Sequence, residues 1–159
     1  MKFTAASIAA IAVFLATGSV TNAVVINGQT EAISVVAEGG FASSCKEFAI
    51  TRRQFIHGTF FDINAKCATN NDRELNTRLQ LGLCLTNDAG VLKWSKRGNF
   101  DKSCQSCTIK NVSNQEVKMR CWCHPAGGET VRLAEINLND GIRNEGGHTW
   151  CGDEIGTAW

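Results

Sequence analysis

The sequence lacks a surplus of charge of either sign: 16 Lys and Arg stand against 15 Asp and Glu, a net charge of +1. A chain this neutral has no global field with which to hold nucleic acid or an anionic membrane surface, so neither is an expected partner. Long hydrophobic runs are also scarce. The one that occurs, Phe3 to Ala16, is shorter than the roughly 20 residues that span a bilayer, and no second run follows. Helical periodicity is missing as well. No window longer than about ten residues repeats its apolar positions every 3.6, which leaves helix a minor component of short pieces. What is present is a 43% hydrophobic fraction, with Leu, Ile and Val spread evenly over 159 residues. That composition excludes disorder and suits one compact domain, or two small ones sharing a core.

Residues 1–23 have the layout of a secretory signal peptide. Lys2 supplies the positive start, the apolar run follows, and Thr21-Asn22-Ala23 offers a cleavage pattern after Ala23. The expected product is a soluble, secreted, extracellular protein whose opposite charges balance once Lys2 is removed. Residues 24–38 read as a leader or linker. All 8 Cys remain after cleavage. In an oxidising compartment an even count at this density indicates a disulfide framework.

From Gly39 onward the chain repeats itself. Gly39–Cys45 (GGFASSC) matches Arg97–Cys104 (RGNFDKSC), with Phe41 and Phe100 each four residues before a Cys and Ser immediately before it. Phe61, Ile63, Ala65 and Cys67 alternate with polar residues, as do Val117, Met119, Cys121 and Cys123. Period two means half-buried strands. Leu79–Gly90 (LQLGLCLTNDAG) matches Ile136–Gly147 (INLNDGIRNEGG). The shared spacing of about 57 residues identifies a tandem repeat, about 39–94 and 97–151, within a domain spanning 39–152 and followed by a tail, 153–159. Each repeat reads as strand, turn, strand, turn and a turn-rich segment closing in Asn-x-x-Gly. Val91, Leu92 and Trp94 add a short strand to the first. A unit this small has too little core alone, so the two share one.

The repeat narrows the 105 pairings that eight Cys allow. Cys45 and Cys67 flank one hairpin. Cys104 and Cys123 hold the same places in the other, with Cys107 and Cys121 nested inside it. Cys84 and Cys151 are left to tie the middle of the chain to its end. The competing reading is zinc, since Cys104, Cys107, Cys121, Cys123 and His124 have ligand-like spacing. Export and the repeat favour disulfides, so no metal and no cofactor are expected.

The paired Phe-x-x-Ser-Cys starts, the alternating strands ending in Cys67 and Cys123, the Asn87–Gly90 and Asn144–Gly147 segments and Leu92-Lys93-Trp94 together resemble the cyanovirin-N family of small lectins, its cysteine-rich secreted fungal members in particular. The resemblance covers about residues 39–151. It implies a mainly β, pseudo-symmetric fold of triple-stranded sheets and β-hairpins with strands exchanged between the repeats, which also favours a Cys84–Cys151 bridge. It implies binding of mannose-rich oligosaccharides at up to two sites, without catalysis or metal. One site would combine Gly40, Ser43, Ser44, Ala68, Thr69 and Asn70 with Asn144, Glu145 and Gly146. The other would combine Thr86, Asn87, Asp88 and Ala89 with Asn99, Lys102, Ser103, His124 and Ala126. Where the family commonly places an acid before the turn Gly, this chain has Ala89 and Gly146. His124, Pro125 and Ala126 stand where charged residues are expected. These departures bear on sugar specificity and on how many sites work, not on the fold.

The residue types suit sugar. Hydroxyls that donate and accept are matched by Asn amides, Asp carboxylates, Ser and Thr hydroxyls and turn backbone. Asn87 and Asn144 have a second reading as formers of their own Asn-x-x-Gly turns. Trp94, Trp122 and Trp150 lie in or beside strands and read first as packing, Arg52 and Arg53 as a solvated hairpin turn, and Phe41 and Phe100 as core. Asn111-Val112-Ser113 is a glycosylation sequon at the second hairpin loop. A hydrolase is disfavoured, because His57, His124 and His148 sit in different segments with no nucleophile or paired acid in a recognisable motif. The alternative to a lectin is a secreted effector or wall-associated protein of the same fold that has lost sugar binding. The chain is expected as a monomer or a domain-swapped dimer.

Overall fold

A computed structural model describes the strands Val24–Ile26 and Gln29–Glu31, then residues 39–125, 127 and 130–159. The expected signal peptide and Ala126 lie outside the described residues. The chain divides into two units, Met1–Val36 and Ala37–Trp159. In the first, β1 (Val24–Ile26) and β2 (Gln29–Glu31) pair antiparallel, with Ile26 opposite Gln29.

The second unit carries the repeat. Its first half runs through a 3-10 turn at Phe41–Ser43, β3 (Cys45–Phe55), β4 (Gly58–Ala68), β5 (Glu74–Gln80), a 3-10 turn at Leu81–Leu83, β6 (Leu85–Asp88) and β7 (Val91–Trp94). Its second half retraces that order: a 3-10 turn at Phe100–Lys102, β8 (Cys104–Val112), β9 (Val117–Cys123), β10 (Arg132–Asn137), a 3-10 turn at Leu138–Asp140, β11 (Arg143–Glu145) and β12 (His148–Cys151). Two short strands follow, β13 (Glu154–Ile155) and β14 (Thr157–Ala158). The 3-10 turns are the sole helical pieces among the described residues, as the missing 3.6 periodicity indicates. β5 and β10 are not in the strand–turn reading of the sequence, although Thr77 and Leu79 on one, and Ala134 on the other, are buried at period-two positions.

β3, β4 and β5 form a meander, and β8, β9 and β10 form its counterpart. The hairpins are exchanged between them. The Thr149 hydroxyl on β12 meets that of Thr77 on β5 at 2.8 Å, both buried. Residues 153–159, read as a tail, are built in: β13 joins β12, and β14 lies against β5 as a fourth strand of that sheet. One core results, containing Phe41, Phe61, Phe100, Ile63, Leu81, Met119 and Leu138, with the Phe61 and Phe100 rings 6.0 Å apart. Phe41 and Phe100 are fully buried, which bears out their reading as core.

All eight Cys pair as the repeat predicts: Cys45–Cys67, Cys104–Cys123, Cys107–Cys121 and Cys84–Cys151. No thiolate is left for zinc. The reading of Arg53 as solvated is corrected. β4 turns the carboxylate of Asp62 away from the apolar row into a fully buried position, and Arg53 reaches across the hairpin to ion-pair with it, its Nη2 donating at 2.9 Å. A carboxylate without exposure needs such a partner. Asn111 lies in β8 opposite Lys118, beside the hairpin loop rather than in it.

Candidate functional site

Two polar rims are built by the same device. Asn87, near the end of β6, sits in an Asn-x-x-Gly turn whose last residue needs the left-handed region: Gly90 has φ 87°. The Asn87 side-chain oxygen accepts from the Gly90 N–H at 2.8 Å and fixes the turn. Its amide nitrogen donates to the Ser103 hydroxyl at 2.9 Å and to the His124 carbonyl at 2.7 Å. Asn144 repeats the pattern on β11. Its oxygen accepts from Gly147 N–H at 3.0 Å, and its amide donates to the Ser44 hydroxyl at 3.0 Å and the Ala68 carbonyl at 2.9 Å. Each latch ties a hairpin of one repeat to the sheet of the other. The turn-forming reading of these Asn residues therefore holds, and their amides are engaged within the protein.

The first rim gathers Gly40, Ser43, Ser44, Ala68, Thr69, Asn70, Asn144, Glu145 and Gly146. Gly40 has φ 97° and opens the 3-10 turn, and the Ser43 hydroxyl donates back to its carbonyl at 2.7 Å. Thr69 organises the following loop, its oxygen accepting from the N–H groups of Asn71 and Arg73 at 3.3 and 3.2 Å. Asn70 is exposed, and its amide is the group nearest the space above Gly146, 3.8 Å from where a Cβ would stand. Glu145 is exposed and held by Arg143 at 2.6 Å. An open groove of about 580 Å³ adjoins the rim, lined by Lys66, Ala68, Thr69, Asp72, Arg73 and Glu74. The hydrogen bond from Lys46 is the main cause that holds Glu74 below the usual carboxylate range, with Lys66 assisting against the opposing effect of desolvation.

The second rim gathers Thr86, Asn87, Asp88, Ala89, Asn99, Lys102, Ser103 and His124. Asn99 takes the place of Gly40 with φ 51°, its amide nitrogen donating to the Arg97 carbonyl at 2.7 Å. Lys102 and His124 are exposed, and Asp88 is ion-paired with Lys93. The residues that close over the turns differ. Thr69 and Leu75 pack on Gly147, whereas Pro125 and Arg132 pack on Gly90. The sequence brought both predicted sets into view, Thr69 among them, but not Leu75 or Arg132 as closing residues, which carry no local pattern. Trp122, read as packing, is instead 46% exposed, whereas Trp94 and Trp150 are partly buried.

Among the described residues no cluster of three His, Cys, Asp or Glu is arranged to hold a metal ion. The rims offer hydroxyls, amides, paired carboxylates and turn backbone on a rigid, disulfide-closed frame.

This duplicated, strand-exchanged β architecture is that of the cyanovirin-N homologues. The CVNH domain family matches residues 41–149, and the chain belongs to that family. Among solved structures it is similar to the Gibberella zeae homologue GzCVNH, at 21% identity with a TM-score of 0.57, covering 71% of this chain and 97% of that one. It is similar to a variant of MoCVNH3 in complex with (N-GlcNAc)4, at 14% identity and a TM-score of 0.55, covering 72% and 97%. It is also similar to microvirin in a mannobiose complex, at 24% identity and a TM-score of 0.53, covering 72% and 99%. No curated protein matches the chain significantly.

Proposed function

We propose that the protein is a secreted, non-catalytic lectin that binds mannose-type oligosaccharides at two rims. The carrying observation is the pair of matched latches, Asn87 and Asn144, which hold two sets of polar side chains in equivalent arrangements at equivalent places in the repeat. Microvirin's mannobiose complex and the tetrasaccharide complex of the MoCVNH3 variant support a carbohydrate ligand. Contacts come from groups the fold leaves open: Asn70 and Ser43 at the first rim, Lys102, His124 and the Asn99 side-chain oxygen at the second. Asn87 and Asn144 hold these groups in place. Two modest sites on one rigid body gain by avidity on a branched glycan. The layout of residues 1–23 supports secretion.

Ala89 and Gly146 stand where the resemblance leads one to expect an acid, and the acids present, Asp88 and Glu145, are already ion-paired, which favours as second reading an effector or wall-associated protein without sugar binding. A glycan array with the refolded chain decides between them. Retention on oligomannose, competed by free α1,2-mannobiose, is the expected result. Silence across the array rejects the lectin.

A further inference from the structure

The outward face of the β8–β9–β10 sheet continues directly from the second rim. Side chains alternate along β9, so Cys121 and Cys123 point inward with no exposure while Trp122 points outward, with exposed His124 next on that side. In register beside Trp122 stand Gln105 on β8 and Leu133 on β10, and Leu133 is 42% exposed. Farther from the rim the face is charged and self-paired: Arg120 meets Glu135 at 2.6 Å, and Lys118 meets Glu116 at 2.7 Å. The fold itself does not ask for an apolar patch here. At the equivalent places in the other half stand Lys46, Lys66 and Asn76, with Glu74 bridging the two lysines.

We propose that Trp122 is a stacking platform that extends the second rim by one pyranose ring, and that it takes a β-linked, gluco-configured residue such as N-acetylglucosamine. The inference rests on the carbohydrate-binding reading above. Two residues of strand separate Trp122 from His124, about 7 Å, which leaves room for one pyranose ring over the indole beside the rim. The face of an indole is electron-rich and attracts the weakly positive C–H groups of a flat apolar surface. A β-linked gluco-configured ring has its substituents equatorial, so axial hydrogens fill both faces. An α-linked mannose has O1 axial on one face and O2 axial on the other, so neither face is clean. Leu133 widens the apolar floor, and the Gln105 amide offers both a donor and an acceptor to a hydroxyl or acetamido group.

The test is titration of the full chain, as wild type, Trp122→Ala and Trp122→Phe, with three probes. These are α1,2-mannobiose, β1,4-linked N-acetylglucosamine tetramer, and a five-mannose N-glycan carrying its two core N-acetylglucosamines. Dissociation constants and the indole N–H resonance of Trp122 are read. Trp122→Ala should weaken the tetramer, the N-glycan or both about tenfold, a loss of about 1.4 kcal/mol. It should leave mannobiose within twofold, and Trp122→Phe should keep most of the affinity. The indole resonance should move in wild type, a reading that needs no variant. Dependence on Trp122 for the tetramer alone assigns a chitin-like chain, and dependence for the N-glycan assigns its core; either supports the platform. If the tetramer and N-glycan bind Trp122→Ala as tightly as wild type while mannobiose still binds, the platform is wrong and the rims stand. If no probe binds wild type, both readings fall.

Discussion

The two halves solve one packing problem in opposite ways. In the first, Ala42 leaves room for Asn139, whose side-chain oxygen accepts from the Ala42 N–H at 2.8 Å. In the second, the equivalent of Ala42 is Asp101 and the equivalent of Asn139 is Gly82. The large residue has changed sides. Asp101 fills the space, and a Cβ on Gly82 would stand 2.6 Å from its Oδ2. The exchange conserves volume but not hydrogen bonding, since Asp101 Oδ2 is buried without a partner. Burial pushes the Asp101 carboxyl above the usual range, with Asp62 adding to the effect, while nearby backbone N–H groups and Lys102 pull the other way. Duplication therefore preserved shape more strictly than polar satisfaction, and the second half carries the strain.

The largest effect should come from the bridge that joins the exchanged pieces. Replacing Cys84 and Cys151 by Ser opens a 67-residue separation, against 22 for Cys45–Cys67. Loop-closure entropy gives about 4 kcal/mol for the former and about 3 kcal/mol for the latter, read from urea denaturation midpoints. A smaller loss for the long bridge would mean that the exchanged hairpins hold themselves in place. Next, Asn144→Ala and Asn87→Ala each remove three hydrogen bonds and should cost about 2–3 kcal/mol. Each should abolish sugar binding at its own rim in a chemical-shift titration, and loss at both rims from either variant would show that the halves are not independent.

Grafting the first half's solution onto the second sharpens the comparison. Gly82→Asn alone should destabilise by about 1–3 kcal/mol through the clash with Asp101. Combined with Asp101→Ala it should instead stabilise by about 1 kcal/mol at pH 7, because the buried unpaired carboxylate is gone and a side-chain bond replaces it. The smallest effect is one of pH. Because the folded carboxyl of Asp101 binds its proton more tightly than the unfolded one, its stabilising influence is complete below the ordinary aspartate range near 4. It is lost as pH rises through the folded value. Unfolding free energies taken between pH 4 and 7 should decline less steeply in Asp101→Asn, and an unchanged slope would acquit Asp101.

Much of the fold was legible because duplication writes long-range facts twice. Cys45–Cys67 and Cys104–Cys123 occupy the same places, and elimination did the rest. β5 and β10 were not legible, since Leu75–Thr77–Leu79 hides a buried Thr in what reads as a polar slot, and that Thr meets Thr149 from the far end of the chain. Residues 153–159 carry no turn or strand signal of their own and are ordered by pairing with β12 and β5. At the rims the polar residues were found from their motifs. The turn-forming role of Asn87 and Asn144 was one of two open readings, but their use as latches between the repeats was in neither and comes from their three-dimensional partners. Trp122 falls on the outward side of the Val117–Met119–Cys121–Cys123 alternation, so its exposure was legible there, and the packing reading rested on its residue type alone.

Strand exchange also sets an order of manufacture. The half that leaves the ribosome first depends on Asn144 and Thr149 for closure and on β14 for its fourth strand, so it is completed last, only once β14 has been made. The later half, by contrast, already has its donated hairpin, β6–β7, waiting when β9 and β10 emerge. A nascent chain stalled short of Asn144 would thus display one finished rim and one gaping sheet edge, inviting another copy to supply the missing piece.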